Sequence, residues 1–125
     1  MKKTYPKIEG RKIFVALVGL GRISRKHIQA IAKLNNRSEI VAICDPVEEL
    51  LKNAEKLIKE EQIKNNANMN KITKFVNYSN LLKSIENSHI KIDLIVLTTP
   101  SGLHCQQVID AAKTGTNVCT EKPMA

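Results

Sequence analysis

The sequence predicts an α/β domain, a doubly wound parallel sheet of five strands in the order 3-2-1-4-5. Two observations predict it. Short apolar runs rich in β-branched residues alternate with longer amphipathic stretches along the chain. Such alternation builds a parallel sheet with helices on both faces, and right-handed crossovers restrict its topology. Lastly, "VALVGLGRISRKHI", residues 15–28, leaves an apolar run through Gly19-Leu20-Gly21 and passes straight into a helical pattern. A phosphate-binding turn has that form, and so does a tight turn with no ligand.

Each element follows in order. "KIFVALVG" is a buried first strand. "RISRKHIQAIAKL" sets Ile23, His27, Ile28, Ile31 and Leu34 at helical spacing. "EIVAICD" is a second buried strand, and "VEELLKNAEKLIKEE" brings Leu50, Leu51, Ala54, Leu57 and Ile58 onto one helical face. "KNNANMNK" is polar and poor in core formers, so it reads as a loop or disordered insertion. "ITKFVNY" is the third strand. "SNLLKSIENS" is a short helix capped by Ser79 or Asn80. "IDLIVLTTP" is the fourth strand, "LHCQQVIDAAKTG" a helix closed by Gly115, and "TNVCTEKP" a fifth strand stopped by Pro123.

Composition narrows the function classes. The 125 residues suit one globular domain, and with no Trp and an aromatic share of 3% the core must be aliphatic. No apolar run has the length of a membrane span, and "IFVALVGL" lacks a cleavage site after it, so no membrane or signal role is expected. Cys44, Cys105 and Cys119 are odd in number and widely spaced, which fits neither a disulfide framework nor a metal site and points to a reducing, cytoplasmic setting. The net charge of +8 comes largely from lysines interleaved with Glu, as on solvated helix faces, so no nucleic-acid partner is expected.

The glycine turn gains meaning from its surroundings. Gly19-x-Gly21-x-x-Ser24 lies between a strand and a helix, as a dinucleotide fingerprint does. Gly19 permits the turn, Gly21 lets a pyrophosphate approach, and Ser24 is small, though not the usual Gly or Ala. Arg22 and Ile23 open the helix, whose free N–H groups favour an anion. Asp45 ends the second strand 21 residues after Ser24, where an acid would accept from the adenosine ribose. Asp45 also suits a turn or cap ahead of Pro46. A methyltransferase site for S-adenosylmethionine is a competing reading, weakened because Leu17 and Val18 stand where an acid would precede the glycines.

Two further segments end strands four and five, where ligands bind in such sheets. "TTPSGLH" offers Thr98, Thr99, Pro100, Ser101 and His104 as lining for the dinucleotide, or as plain turn and cap chemistry. "TEKP" places Glu121 and Lys122 just past a buried strand, with Pro123 holding Lys122 extended. A surface ion pair is the alternative there.

Taken together, "VGLGRI", "CDP", "LTTPSGLHCQQVIDAAKTG" and "EKPMA" resemble the Gfo/Idh/MocA family of sugar and inositol dehydrogenases over about Lys12 to Ala125. The resemblance implies an NAD-dependent oxidoreductase whose nucleotide-binding (Rossmann) half spans 1–125. The family's substrate domain is expected to lie outside this chain, which is then a piece of a longer protein. It implies that Lys122 is catalytic, beside the nicotinamide and the reacting hydroxyl. "VLTTPSGLH" with "EKPMA" is most similar to dehydrogenases of surface-polysaccharide synthesis, which act on a UDP-linked N-acetylglucosaminuronic acid. A sugar or nucleotide-sugar substrate, NAD as cofactor and a homo-oligomer are the implied partners. An inositol or simple sugar dehydrogenase and a non-catalytic NAD-binding module are the alternatives. The polar insertion departs from the family's short connection.

Overall fold

The computed structural model describes residues 12–67, 71–99 and 101–120, the first four of the last stretch as backbone only. Its elements run β1 (Ile13–Val18), α1 (Ser24–Lys33), β2 (Ser38–Cys44), α2 (Glu48–Lys64), β3 (Thr73–Phe75), α3 (Tyr78–Glu86), β4 (Leu94–Leu97), α4 (Ser101–Ala112) and β5 (Asn117–Thr120). The sheet has the order β3-β2-β1-β4-β5, and every pairing is parallel. This is the doubly wound arrangement expected from the sequence.

The two-residue period of β1 divides the core. Val15 and Leu17 face one layer, with Ile28 of α1 and Leu51, Ala54 and Ile58 of α2. Ala16 and Val18 face the other, with Leu81 and Leu82 of α3 and Ala111 of α4. In β2 that period is interrupted. Val15 pairs with Ile40 but Ala16 pairs with Ala42, so Val41 is an extra residue in the ladder. The bulge puts Ile40 and Ile43, three apart, into the same layer.

Local details correct the sequence reading. The inward stripe of α1 is Ser24, Ile28 and Ala32, while Ile23 and Leu34 are exposed at 49% and 53%. Ile23 ends up outside because it is the N-cap, before the helical stripe begins. The cap of α3 is Asn77, not Ser79 or Asn80; its side chain accepts from the Asn80 N–H. Asn77 is extended, as an N-cap must be, whereas Ser79 and Asn80 are already helical. The third strand keeps only three residues. Of the polar insertion, Asn65 and Asn66 form the end of α2, and residues 68–70 lie outside the described residues. Gly115, with φ +80°, closes the turn after α4 as expected. No helix among the described residues is long and apolar enough to cross a membrane.

Candidate functional site

The carboxyl ends of β1, β2 and β4 meet at one edge, and the predicted turn sits there. Gly19 continues the ladder, its N–H donating to the Cys44 carbonyl at 2.9 Å. Its φ is +88°, and a Cβ would fall 2.8 Å from the Thr99 backbone N and 2.9 Å from the Thr98 carbonyl carbon. Glycine at 19 is therefore demanded by the chain itself. Gly21 is the opposite case. A Cβ there would meet nothing within 4 Å, and its φ is not positive. No described residue requires a glycine at 21, so the small residue leaves space open in front of α1.

That space borders a helix start suited to an anion. Ser24, Arg25 and Lys26 donate to the carbonyls of Gly21, Arg22 and Ile23. The N–H groups of Gly21, Arg22 and Ile23 themselves meet no acceptor among the described residues. The first turn of α1 has no acidic residue, whereas α2 carries Glu48 and Glu49 in its own first turn. An acid there would offset the positive end of the helix dipole, so α1 leaves that end for an external negative charge. Ser24 is 4% exposed, and its hydroxyl donates to the Gly21 carbonyl at 2.6 Å. That bond satisfies the one polar group which separates Ser from the usual Gly or Ala.

Asp45 follows β2 directly and is 8% exposed. Its Oδ2 accepts from the Leu20 N–H at 2.9 Å and its Oδ1 from the Val47 N–H at 2.8 Å. The turn reading of Asp45 is thus realised. Each carboxylate oxygen still has a second acceptor position, which suits a ribose diol. On the other flank, the Thr98 hydroxyl donates to the carbonyls of Val18, at 3.1 Å, and Gly19. The Thr99 hydroxyl bonds Gln107 Oε1. Both hydroxyl protons are turned inward, so these threonines shape the edge and can only accept from a ligand.

The structure therefore brings together Gly19, Gly21, Arg22, Ile23, Asp45, Thr98 and Thr99. Ser101 and His104 lie in the first turn of α4, described as backbone only. Pro100, Glu121 and Lys122 lie outside the described residues; β5 reaches Thr120, in register with Leu97. Reading the sequence missed the Leu20 N–H and Gln107 as partners in this edge. Asp45 after a strand signalled some backbone contact; nothing in the sequence signalled Gln107.

Cys44, beneath this edge, is no nucleophile. It is 2% exposed, and burial, helped by the neighbouring Asp45 charge, pushes its thiol up to about 12. Burial likewise pushes the Tyr78 hydroxyl up to about 12, with smaller contributions from Asp110 and Cys44. In the unfolded chain these groups titrate at their ordinary values of 9.0 and 10.0. Unfolding then releases protons above pH 9.0, so stability is unaffected below that value and falls as pH rises toward about 12. Denaturant midpoints are expected to decline across that window, and the decline to be shallower in Cys44→Ala. Thiol reagents are expected to label Cys105 and Cys119, both exposed, and to spare Cys44 until the protein unfolds.

Comparison with known proteins identifies the family of the fold. No curated protein matches the chain. The chain is similar to the WlbA dehydrogenase from Bordetella pertussis, solved in complex with NADH and UDP-GlcNAcA, at 41% identity and a TM-score of 0.73 over 92% of this chain and 30% of that one. It is similar to the Chromobacterium violaceum WlbA dehydrogenase, solved with the same two ligands, at 35% identity and a TM-score of 0.77 over 98% and 30%. The scyllo-inositol dehydrogenase from Lactobacillus casei, with bound NAD(H) and scyllo-inositol, matches at 27% identity and a TM-score of 0.69 over 90% and 28%. The chain thus spans about 30% of the length of these dehydrogenases. The model of the Gfo/Idh/MocA oxidoreductase family, NAD-binding Rossmann fold, matches residues 13–125. With that match across nearly the whole chain, and the sheet order and glycine turn described above, this protein belongs to the Gfo/Idh/MocA oxidoreductases and is an NAD-binding Rossmann domain of that family.

Proposed function

We propose that residues 1–125 are the dinucleotide-binding half of a dehydrogenase that oxidises a hydroxyl of a UDP-linked sugar acid. The observation that carries the cofactor half is Gly21, a glycine no described residue requires, opening onto N–H groups at α1 that meet no acceptor among the described residues. The higher identity to the two WlbA enzymes than to the inositol dehydrogenase supports the nucleotide-sugar substrate. When bound, the nicotinamide provides the hydride acceptor. The chain's own residues hold and orient. The N–H groups of Gly21, Arg22 and Ile23 receive the pyrophosphate, and Asp45 accepts from the adenosine ribose. Thr98, Thr99, Pro100, Ser101 and His104 line the cofactor beyond it. Glu121 and Lys122 follow β5 in the sequence, with Lys122 assigned to polarise the substrate hydroxyl. The substrate domain lies in a further part of the protein. A homo-oligomer, a place in surface-polysaccharide synthesis and a cytoplasmic setting complete the reading; the last is supported by the free thiols of all three cysteines.

The test is turnover by the intact protein. NAD reduction is expected with UDP-linked N-acetylglucosaminuronic acid and not with free inositol or glucose; the reverse result transfers the assignment to the inositol enzymes. The 125-residue chain alone is expected to bind NAD weakly and to form no NADH with any sugar, because on this reading the substrate domain holds the substrate and excludes water. Substrate-dependent NADH formation by this chain would refute the two-domain reading.

Cofactor choice follows from Asp45. A 2′-phosphate would bring like charge against its carboxylate, which Arg22 at the helix start only partly offsets. Calorimetry is expected to show NAD bound about tenfold or more tightly than NADP, as one like-charge contact of about 1.4 kcal/mol gives. Equal affinities contradict this, as does an Asp45→Ala variant whose preference does not move.

A further inference from the structure

We propose that Asp45 is a positioning residue for the phosphate turn, and that its carboxylate sets the pyrophosphate seat from 25 residues away. The proposal deepens the NAD-binding reading and rests on it. Leu20 is the middle residue of Gly19-Leu20-Gly21 and is 5% exposed. Its N–H donates to Asp45 Oδ2 at 2.9 Å in a buried contact. With so little exposure, that N–H has no ready access to water if its acceptor is removed. The other oxygen, Oδ1, is fixed by the Val47 N–H at 2.8 Å, so the carboxylate cannot swing away without breaking a second bond.

The turn needs such a hold. Glycines on either side of Leu20 give it little stiffness of its own. Its anchors come from neighbouring strands. Gly19 donates to Cys44, and its carbonyl accepts from the Thr98 hydroxyl on the β4 side. Asp45 is the anchor on the β2 side at Leu20, one residue before the first acceptor-free N–H of the anion seat. A single N–H donor at each oxygen leaves a further acceptor position on both, so holding the turn and binding a ribose do not compete. One carboxylate thereby links the adenosine end of the site to its pyrophosphate end.

Two measurements test this. The first is amide hydrogen exchange on the protein without cofactor. Asp45→Ala is expected to speed exchange at Leu20 about tenfold or more, while the amides of Val15 to Val18 keep their protection and show the sheet intact. The second is calorimetry with NAD and with an NAD analogue lacking the 2′ and 3′ hydroxyls of the adenosine ribose. Asp45→Ala is expected to weaken both ligands about tenfold or more, as for a lost charge-assisted bond. Asp45→Asn keeps one acceptor oxygen and is expected to weaken both by less. Unchanged affinity for the analogue overturns the proposal and leaves Asp45 a ribose contact only. If the unaltered protein binds neither ligand, the NAD-binding reading fails, and unchanged Leu20 exchange in the variant then overturns the hold on the turn as well. If Asp45→Ala loses the β1 protection, Asp45→Asn is read by the same two measurements and the same criteria.

Discussion

Gly19→Ala is expected to destabilise the protein by about 2–4 kcal/mol, from a left-handed backbone and an overpacked contact together. The new Cβ would lie 2.8 Å from both the Thr99 N and Cγ2 atoms, at a residue whose φ is +88°. The methyl group of Thr99 can rotate away, but its backbone nitrogen cannot move without pulling β4 from β1. Thermal unfolding is the measurement, and a fall on the order of 10 °C corresponds to that penalty in a domain of this size. Gly21→Ala is its control. Nothing lies within 4 Å of a Cβ at 21, so stability should stay within about 0.5 kcal/mol of the parent. Its cost should appear instead in NAD binding, because the methyl group takes the space left for the pyrophosphate. Two glycines separated by a single residue are thus expected to fail in different assays. A Gly21→Ala variant that binds NAD normally would remove the main support for the cofactor site.

On the proposed reading, Lys122→Met in the intact protein is expected to lower kcat about a hundredfold or more, with a much smaller effect on NAD affinity. Methionine keeps the length and apolar stem of lysine but carries no donor and no charge. A donor that acts on the reacting hydroxyl contributes in the transition state, so its loss is read in the rate constant. Near-normal turnover in the variant would end the assignment of Lys122. Raised KM at unchanged kcat would make Lys122 a binding residue only.

The contrast between Asp45 and Thr98 shows how far each candidate residue was legible. Asp45 could be picked out because an acid at a strand end, 21 residues past Ser24 of the glycine motif, is a local pattern with a known use. That both its oxygens would be held by backbone N–H groups depended on where Leu20 comes to lie. Thr98 and Thr99 looked like ligand-lining hydroxyls; the fold turned both protons toward Gly19 and Gln107. The cap of α3 moved from Ser79 or Asn80 to Asn77 because the sheet ends earlier than its apolar pattern does, at Phe75.

By itself the sequence determined the alternation of strands and helices, the strand order that crossover handedness then allows, the aliphatic core and the place of the glycine turn. All of these follow from periodicity and from residues close together in the chain, where backbone sterics and apolar patterning act directly. Only the tertiary structure decided which glycine the fold requires and which it leaves free. It also decided that Val41 is an extra residue that turns Ile40 and Ile43 to one side, and that Asp45 holds Leu20. These depend on contacts such as Gly19 against Thr99 and Asp45 against Leu20, between residues 25 to 80 apart. No local pattern encodes such contacts, because they exist only once the parallel strands have been brought side by side.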